Sequence, residues 1–148
     1  MRARFNRVEM MDDKISNLLG IVHEEINLYR DLTEHARRKA VLLAKGRVEA
    51  IRESNKIEER FNTKLRILEN EMMRLGQDLC QSFRIPSEEF TLTRLADNLE
   101  HSIAQEIQYQ TALFRNIVRQ LKSVSQRNVR LIEGSIISSI QTKMSQRA

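Results

Sequence analysis

Apolar residues recur at alternating steps of three and four along most of this chain, and near its end they change face. At about 100° per residue such steps keep one side of an α-helix apolar. A first seam runs through Ile15, Leu18, Val22, Ile26, Tyr29, Leu32, Ala36, Ala40 and Leu43, with Asp12-Asp13 as its expected N-cap and Lys45-Gly46 as its stop. A second runs through Val48, Ile51, Phe61, Leu65, Leu68, Met72, Leu75 and Leu79. Ser54, Asn55 and Glu58 interrupt it, with only Ile57 to bridge the gap, so packing is expected to be weakest there. Arg84-Ile85-Pro86-Ser87-Glu88-Glu89 then breaks the pattern, because Pro cannot continue a helix. Thr91 is a suitable N-cap for a third helix, with Leu92, Leu95, Leu99, Ile103, Ile107, Phe114, Ile117, Leu121, Val124 and Leu131 on its seam and no strong breaker before Gly134. Past Val124 a second set, Val129, Ile132, Ile136 and Ile140, is centred roughly a quarter turn away.

Short connections make consecutive helices antiparallel, so the pattern predicts an all-α, up-down-up bundle of three long, coiled-coil-like helices. At 1.5 Å per residue, helices over 12–45 and 47–83 are about 51 and 55 Å long, whereas 91–143 would be near 80 Å. The third helix therefore overhangs beyond about residue 126. The organisation expected is a flexible basic N-terminus (1–11), a three-helix bundle (12–126) and an amphipathic C-terminal segment (127–148) whose apolar face is free for another protein.

Composition agrees with long helices: one Pro, four Gly and no Trp in 148 residues leave little turn chemistry for sheets. No apolar run approaches a membrane span, and the basic opening Met1 to Arg7 has no signal-peptide core behind it, so the protein is expected in the cytoplasm. The single Cys80, between Leu79 and Phe83, reads as a packing residue. The net charge of +5 lies in the last third, where Arg115, Arg119, Lys122, Arg127, Arg130, Lys143 and Arg147 face only Glu106 and Glu133. This reads as a solvated helix face.

Catalytic and metal chemistry is not legible. His23-Glu24-Glu25-Ile26-Asn27 starts like the zinc-protease helix, but Asn27 stands where the second His must be. None of His23, His35 or His101 has a Glu three residues before it, as di-iron bundles require, and all three read as surface residues. No glycine-rich phosphate loop is present. Neither an enzyme nor a cofactor is expected.

Taken in order, several segments resemble the FlgN family of flagellar type III export chaperones. Leu18-Leu19-Gly20-Ile21-Val22-His23-Glu24-Glu25-Ile26-Asn27-Leu28-Tyr29 is similar to the family's opening helix, and Leu43-Ala44-Lys45-Gly46-Arg47-Val48-Glu49-Ala50-Ile51 to its inter-helix turn. Phe90-Thr91-Leu92-Thr93-Arg94-Leu95 is similar to the restart after the proline loop. Arg127-Asn128-Val129-Arg130-Leu131-Ile132-Glu133-Gly134-Ser135-Ile136 resembles the closing motif. The resemblance implies a non-enzymatic chaperone that binds the C-terminal helices of hook-associated proteins through its own C-terminal segment. Export apparatus components are further candidate partners. The expected client-binding residues are Asn128, Val129, Leu131, Ile132, Ser135, Ile136, Ile137, Ile140 and Met144.

Two other readings stay open. A homodimer or larger helical scaffold would also cover Ile132, Ile136 and Ile140. A basic coiled-coil protein associated with nucleic acid fits the charge, although scarce aromatics and charges spread around the helix speak against nucleic acid.

Overall fold

The computed structural model describes residues 2–147, with side chains for 12–146. It is all-helical: α1 (Arg2–Ala44), α2 (Val48–Phe83), a 3-10 turn (Ser87–Glu89), α3 (Leu92–Ala96) and α4 (His101–Arg147), with no strand among the described residues. Helix α1 opens at Arg2, so Asp12-Asp13 lies inside it instead of capping it. Residues 2–11 contain neither Gly nor Pro to stop a helix.

The chain divides into two compact units, Met1–Leu28 with Thr63–Asn116, and Tyr29–Asn62 with Ile117–Ala148. In the first, Ile15, Leu18, Leu79 and Leu95 form the buried centre, and Leu19, Met72, Leu75, Phe83, Phe90, Leu92, Leu99 and Ile103 pack around it. Cys80 is buried beside this centre, as its position predicts. The proline loop is held at both ends. Arg84 takes a left-handed φ of 54°, Ile85 N–H donates to the Cys80 carbonyl at 2.9 Å, and the Ile85 side chain is buried, which together close α2 in a Schellman motif. Thr91 Oγ1 accepts from Arg94 N–H at 3.0 Å, the expected N-cap.

The third helix is not continuous. Between α3 and α4 the backbone tightens, with Asn98 N–H donating to the Leu95 carbonyl at 3.0 Å and Leu99 N–H to that of Ala96 at 3.1 Å. Asn98 Nδ2 donates to the Arg94 carbonyl at 3.1 Å, taking up an acceptor the helix would otherwise use. Asn98 thus competes through its side chain where the helix breaks, without Gly or Pro. Gly134 breaks nothing: α4 passes through it, since one glycine costs only about 1 kcal/mol relative to Ala.

In the second unit the turn after α1 is a second Schellman motif. Arg47 N–H donates to the Leu42 carbonyl and Gly46 N–H to that of Leu43, both at 3.2 Å, with Gly46 at φ 65°. Val48, expected on the seam, is exposed, while Ala36 and Ile117 are buried and Leu32, Leu121 and Val124 half-buried. Cover extends further along α4 than expected. Asn128 is buried and Leu131 half-buried; every residue from Ile132 to Gln146 is exposed. The break before His101 divides the segment that the apolar pattern predicts as one helix from residue 91.

Two substitutions of glycine separate crowding from propensity. A Cβ on Gly76 would stand 2.7 Å from Phe90 Cε1, whereas nothing lies within 4 Å of one on Gly134. Thermal melts should show Gly76→Ala destabilised by about 1 kcal/mol despite better helix propensity, and Gly134→Ala gaining helicity without loss.

Glu25 sits at a buried position of the first unit, and burial, with the Glu69 charge as a lesser cause, raises its carboxyl from 4.5 to about 7. The folded state then holds a proton that the unfolded state has released, so this group's contribution to stability falls as pH rises from 4.5 to 7 and stays low above. Glu25→Gln should stabilise the protein by about 1–3 kcal/mol at pH 8 and by almost nothing at pH 4, as read by urea unfolding at the two values.

Candidate functional site

The C-terminal part of α4 carries the largest run of exposed apolar side chains among the described residues. Ile132, Ile136, Ile137, Ile140 and Met144 are 39–68 % exposed, and Val129 is 51 % exposed. At 100° per residue Val129, Ile132, Ile136 and Ile140 fall within about 80° of one another, while Ile137 and Met144 lie on its flank. Ser135 is exposed on the same stretch.

Two of the expected site residues are placed differently. Asn128 is 6 % exposed, and its Nδ2 donates to the Ala36 carbonyl at 2.9 Å. Leu131 is half-buried. Asn128 thereby ties α4 to α1 just before the exposed stretch begins.

At that point the second unit holds a cleft of about 280 Å³ between α1, α2 and α4. Leu121, Ser125, Asn128, Val129 and Ile132 form its α4 wall, opposite Leu32, Ala36 and Lys39 of α1 and Glu58 and Asn62 of α2. Spacings of 4, 3 and 4 between 121, 125, 128 and 132 place the α4 wall on one side of the helix. That side continues into Ile136 and Ile140. The sequence contained this stripe, but two polar members, Ser125 and Asn128, hid it from an apolar pattern search.

The polar interruption in α2 is also explained. His35 Nε2 donates to the Ser54 carbonyl at 3.0 Å and lies 2.8 Å from Ser54 Oγ, while its ring is tilted against Phe61 at 6.1 Å between centroids. Lys39 Nζ donates to Asn55 Oδ1 at 2.7 Å and to Glu58 Oε1 at 3.1 Å. These polar contacts, and not Ile57, which is exposed, fill the gap. His35 is therefore no surface residue, its side chain being 12 % exposed, whereas His23 and His101 are exposed as expected. Ser54, His35 and Glu58 do not form a hydrolase relay. Glu58 Oε1 lies 3.9 Å from Nε2, the nitrogen already facing Ser54, and among the described residues no carboxylate pairs with Nδ1.

Among the described residues no helix is long and apolar enough to cross a membrane, and no group of three His, Cys, Asp or Glu could hold a metal ion. The C-terminal part of α4 thus combines an exposed apolar face with a cleft at its root. The profile of the FlgN protein family matches residues 10–142, and the chain belongs to that family. The resemblance read from the order of its segments is thereby borne out, and with it the general role of a flagellar export chaperone. Comparison with curated proteins and with solved structures finds no match.

The Lys39–Glu58 pair in the cleft wall is largely shielded, with side chains 12 % and 28 % exposed. Glu58→Ala would leave the Lys39 ammonium poorly solvated and should cost about 1–3 kcal/mol. The Lys39→Met, Glu58→Leu double variant should recover most of that loss in denaturant unfolding.

Proposed function

We propose that this protein works in the cytoplasm as an export chaperone that binds the C-terminal helical region of flagellar hook-associated proteins, prevents their premature assembly and delivers them for export. The observation that carries this reading is the row Val129, Ile132, Ile136 and Ile140, exposed on one side of α4 where no part of the second unit covers it. Anchors at i, i+3, i+7 and i+11 lie on one side of a helix, the arrangement that helix-in-groove recognition uses. Ile137 and Met144 widen the apolar surface, Ser135 lies beside it, and Asn128 fixes its root next to half-buried Leu131. The tight Gly46 turn and the short proline loop favour the up-down-up order of the long helices, and the limit of cover at Leu131 supports a folded body that ends there.

Burial of four to six such side chains is worth roughly 6 to 18 kcal/mol gross. Ordering of the client and association entropy consume much of this, which leaves affinities in the micromolar to sub-micromolar range. A chaperone must let go of its cargo, and that range permits it.

Calorimetry with a purified hook-associated protein tests the reading. Ile132→Asp with Ile136→Asp should abolish binding and leave the melt unchanged, because both side chains are exposed, whereas Ile117→Asp, at a buried position, should damage the fold. Wild-type affinity in the double variant would refute the proposal.

A further inference from the structure

Helix α4 has a third side, distinct from its buried side and from the apolar row. At 100° per residue Arg119, Lys122, Arg130, Ile137, Ile140 and Met144 fall within about 80° of one another. All six are exposed. The residues that α4 turns inward in the second unit, Ile117, Leu121, Val124, Asn128 and Leu131, are centred about 180° away, so this side is the outermost ridge of the helix. From Arg119 to Met144 it runs about 38 Å.

The ridge divides by chemistry. Its first half, to Arg130, is cationic, and its second, from Ile137, is aliphatic and thioether. No Asp or Glu stands between Glu106 and Glu133, and the second unit as a whole has 15 Lys and Arg against 7 Asp and Glu, a formal +8. Glu34, Glu49, Glu53 and Glu58 pair with cations of α1 and α2, and among the described residues Arg119, Lys122 and Arg130 have no ion-pair partner. Their charge is uncompensated. No aromatic residue follows Phe114, so the ridge has no ring on which a base would stack.

We propose that this ridge is a peripheral docking surface for an anionic phospholipid bilayer. Arg119, Lys122 and Arg130 lie at the level of the lipid phosphates, while Ile137, Ile140 and Met144 enter the boundary between headgroups and acyl chains. A bilayer is flat and carries its charge directly over hydrocarbon, which matches cations and aliphatic side chains presented along one outer line. Glu133, near the middle of the ridge, is its one anion; it opposes the contact and keeps it reversible. The row Val129, Ile132, Ile136 and Ile140 is centred about 75° round the helix and shares only Ile140 with the ridge, so this inference stands apart from the client-binding reading.

The test uses the full-length protein and vesicles of phosphatidylcholine with about 30 % phosphatidylglycerol, against pure phosphatidylcholine, with binding read by cosedimentation at about 50 mM salt. The anionic vesicles should bind at least tenfold more tightly, and about 500 mM salt should remove most of the difference. Arg119→Glu with Arg130→Glu should weaken binding at least tenfold with an unchanged melt, since both residues are exposed. Arg127→Glu with Lys143→Glu makes the same change in net charge about 100° to either side of the ridge, and should cost less than threefold. Ile137→Ser with Met144→Ser should weaken binding at least threefold, and Glu133→Gln should tighten it. Equal binding to neutral vesicles, or none to anionic ones, would overturn the proposal. So would equal losses in the two reversed pairs, which would reduce the effect to net charge. Tighter binding to a single-stranded oligonucleotide than to the anionic vesicles, lost in the Arg119→Glu, Arg130→Glu variant, would assign the ridge to nucleic acid and refute the lipid reading.

Discussion

A helix satisfies its own backbone, but it cannot hide an apolar stripe from water without a neighbour. Most of what this structure does follows from where neighbours are available. Ile15, Leu18, Leu79 and Leu95 have them and are buried; Ile136 and Ile140 carry the same kind of side chain at the same spacing and do not. The difference lies in what stands opposite, not in the residues. An amphipathic pattern thus marks a demand for a partner, and the position along α4 decides whether the partner is internal.

Polar groups refine that division. The α1–α2 pairing of the second unit is specified by directed contacts, His35 to Ser54 and Lys39 to Asn55 and Glu58, where the apolar seam gives out. Asn128 does the same for α4 through the Ala36 carbonyl. Apolar contact would tolerate a slip of one turn; a carbonyl at 2.9 Å does not. The register of the second unit is therefore set by a few hydrogen bonds in places where an all-apolar seam would be more stable and less definite.

Sequence reasoning reached the helical class, the Gly46 stop, the Thr91 cap, the buried Cys80 and the exposed face of α4, because each depends on local chemistry or on a strong apolar period. It failed where a long-range partner decides. His35 reads as a surface histidine until Ser54 is brought against it, and Asn128 reads as a contact residue until Ala36 is. The break at Asn98 is hidden for a different reason: no Gly or Pro marks it, and Asn competes for backbone hydrogen bonds only at the right place. The cleft escaped because it requires three helices at once.

The two sets of hydrogen bonds in the second unit differ in how much chain they enclose. His35 and Ser54 are 19 residues apart, Ala36 and Asn128 are 92 apart. Loop closure costs more entropy for the longer span, so the α1–α2 hairpin can form from local contacts long before α4 is in place. The wall that Asn128 contributes is then among the last parts to assemble. A chain that has folded only its hairpin has no cleft, and the walls of that cleft meet only with completion of the fold.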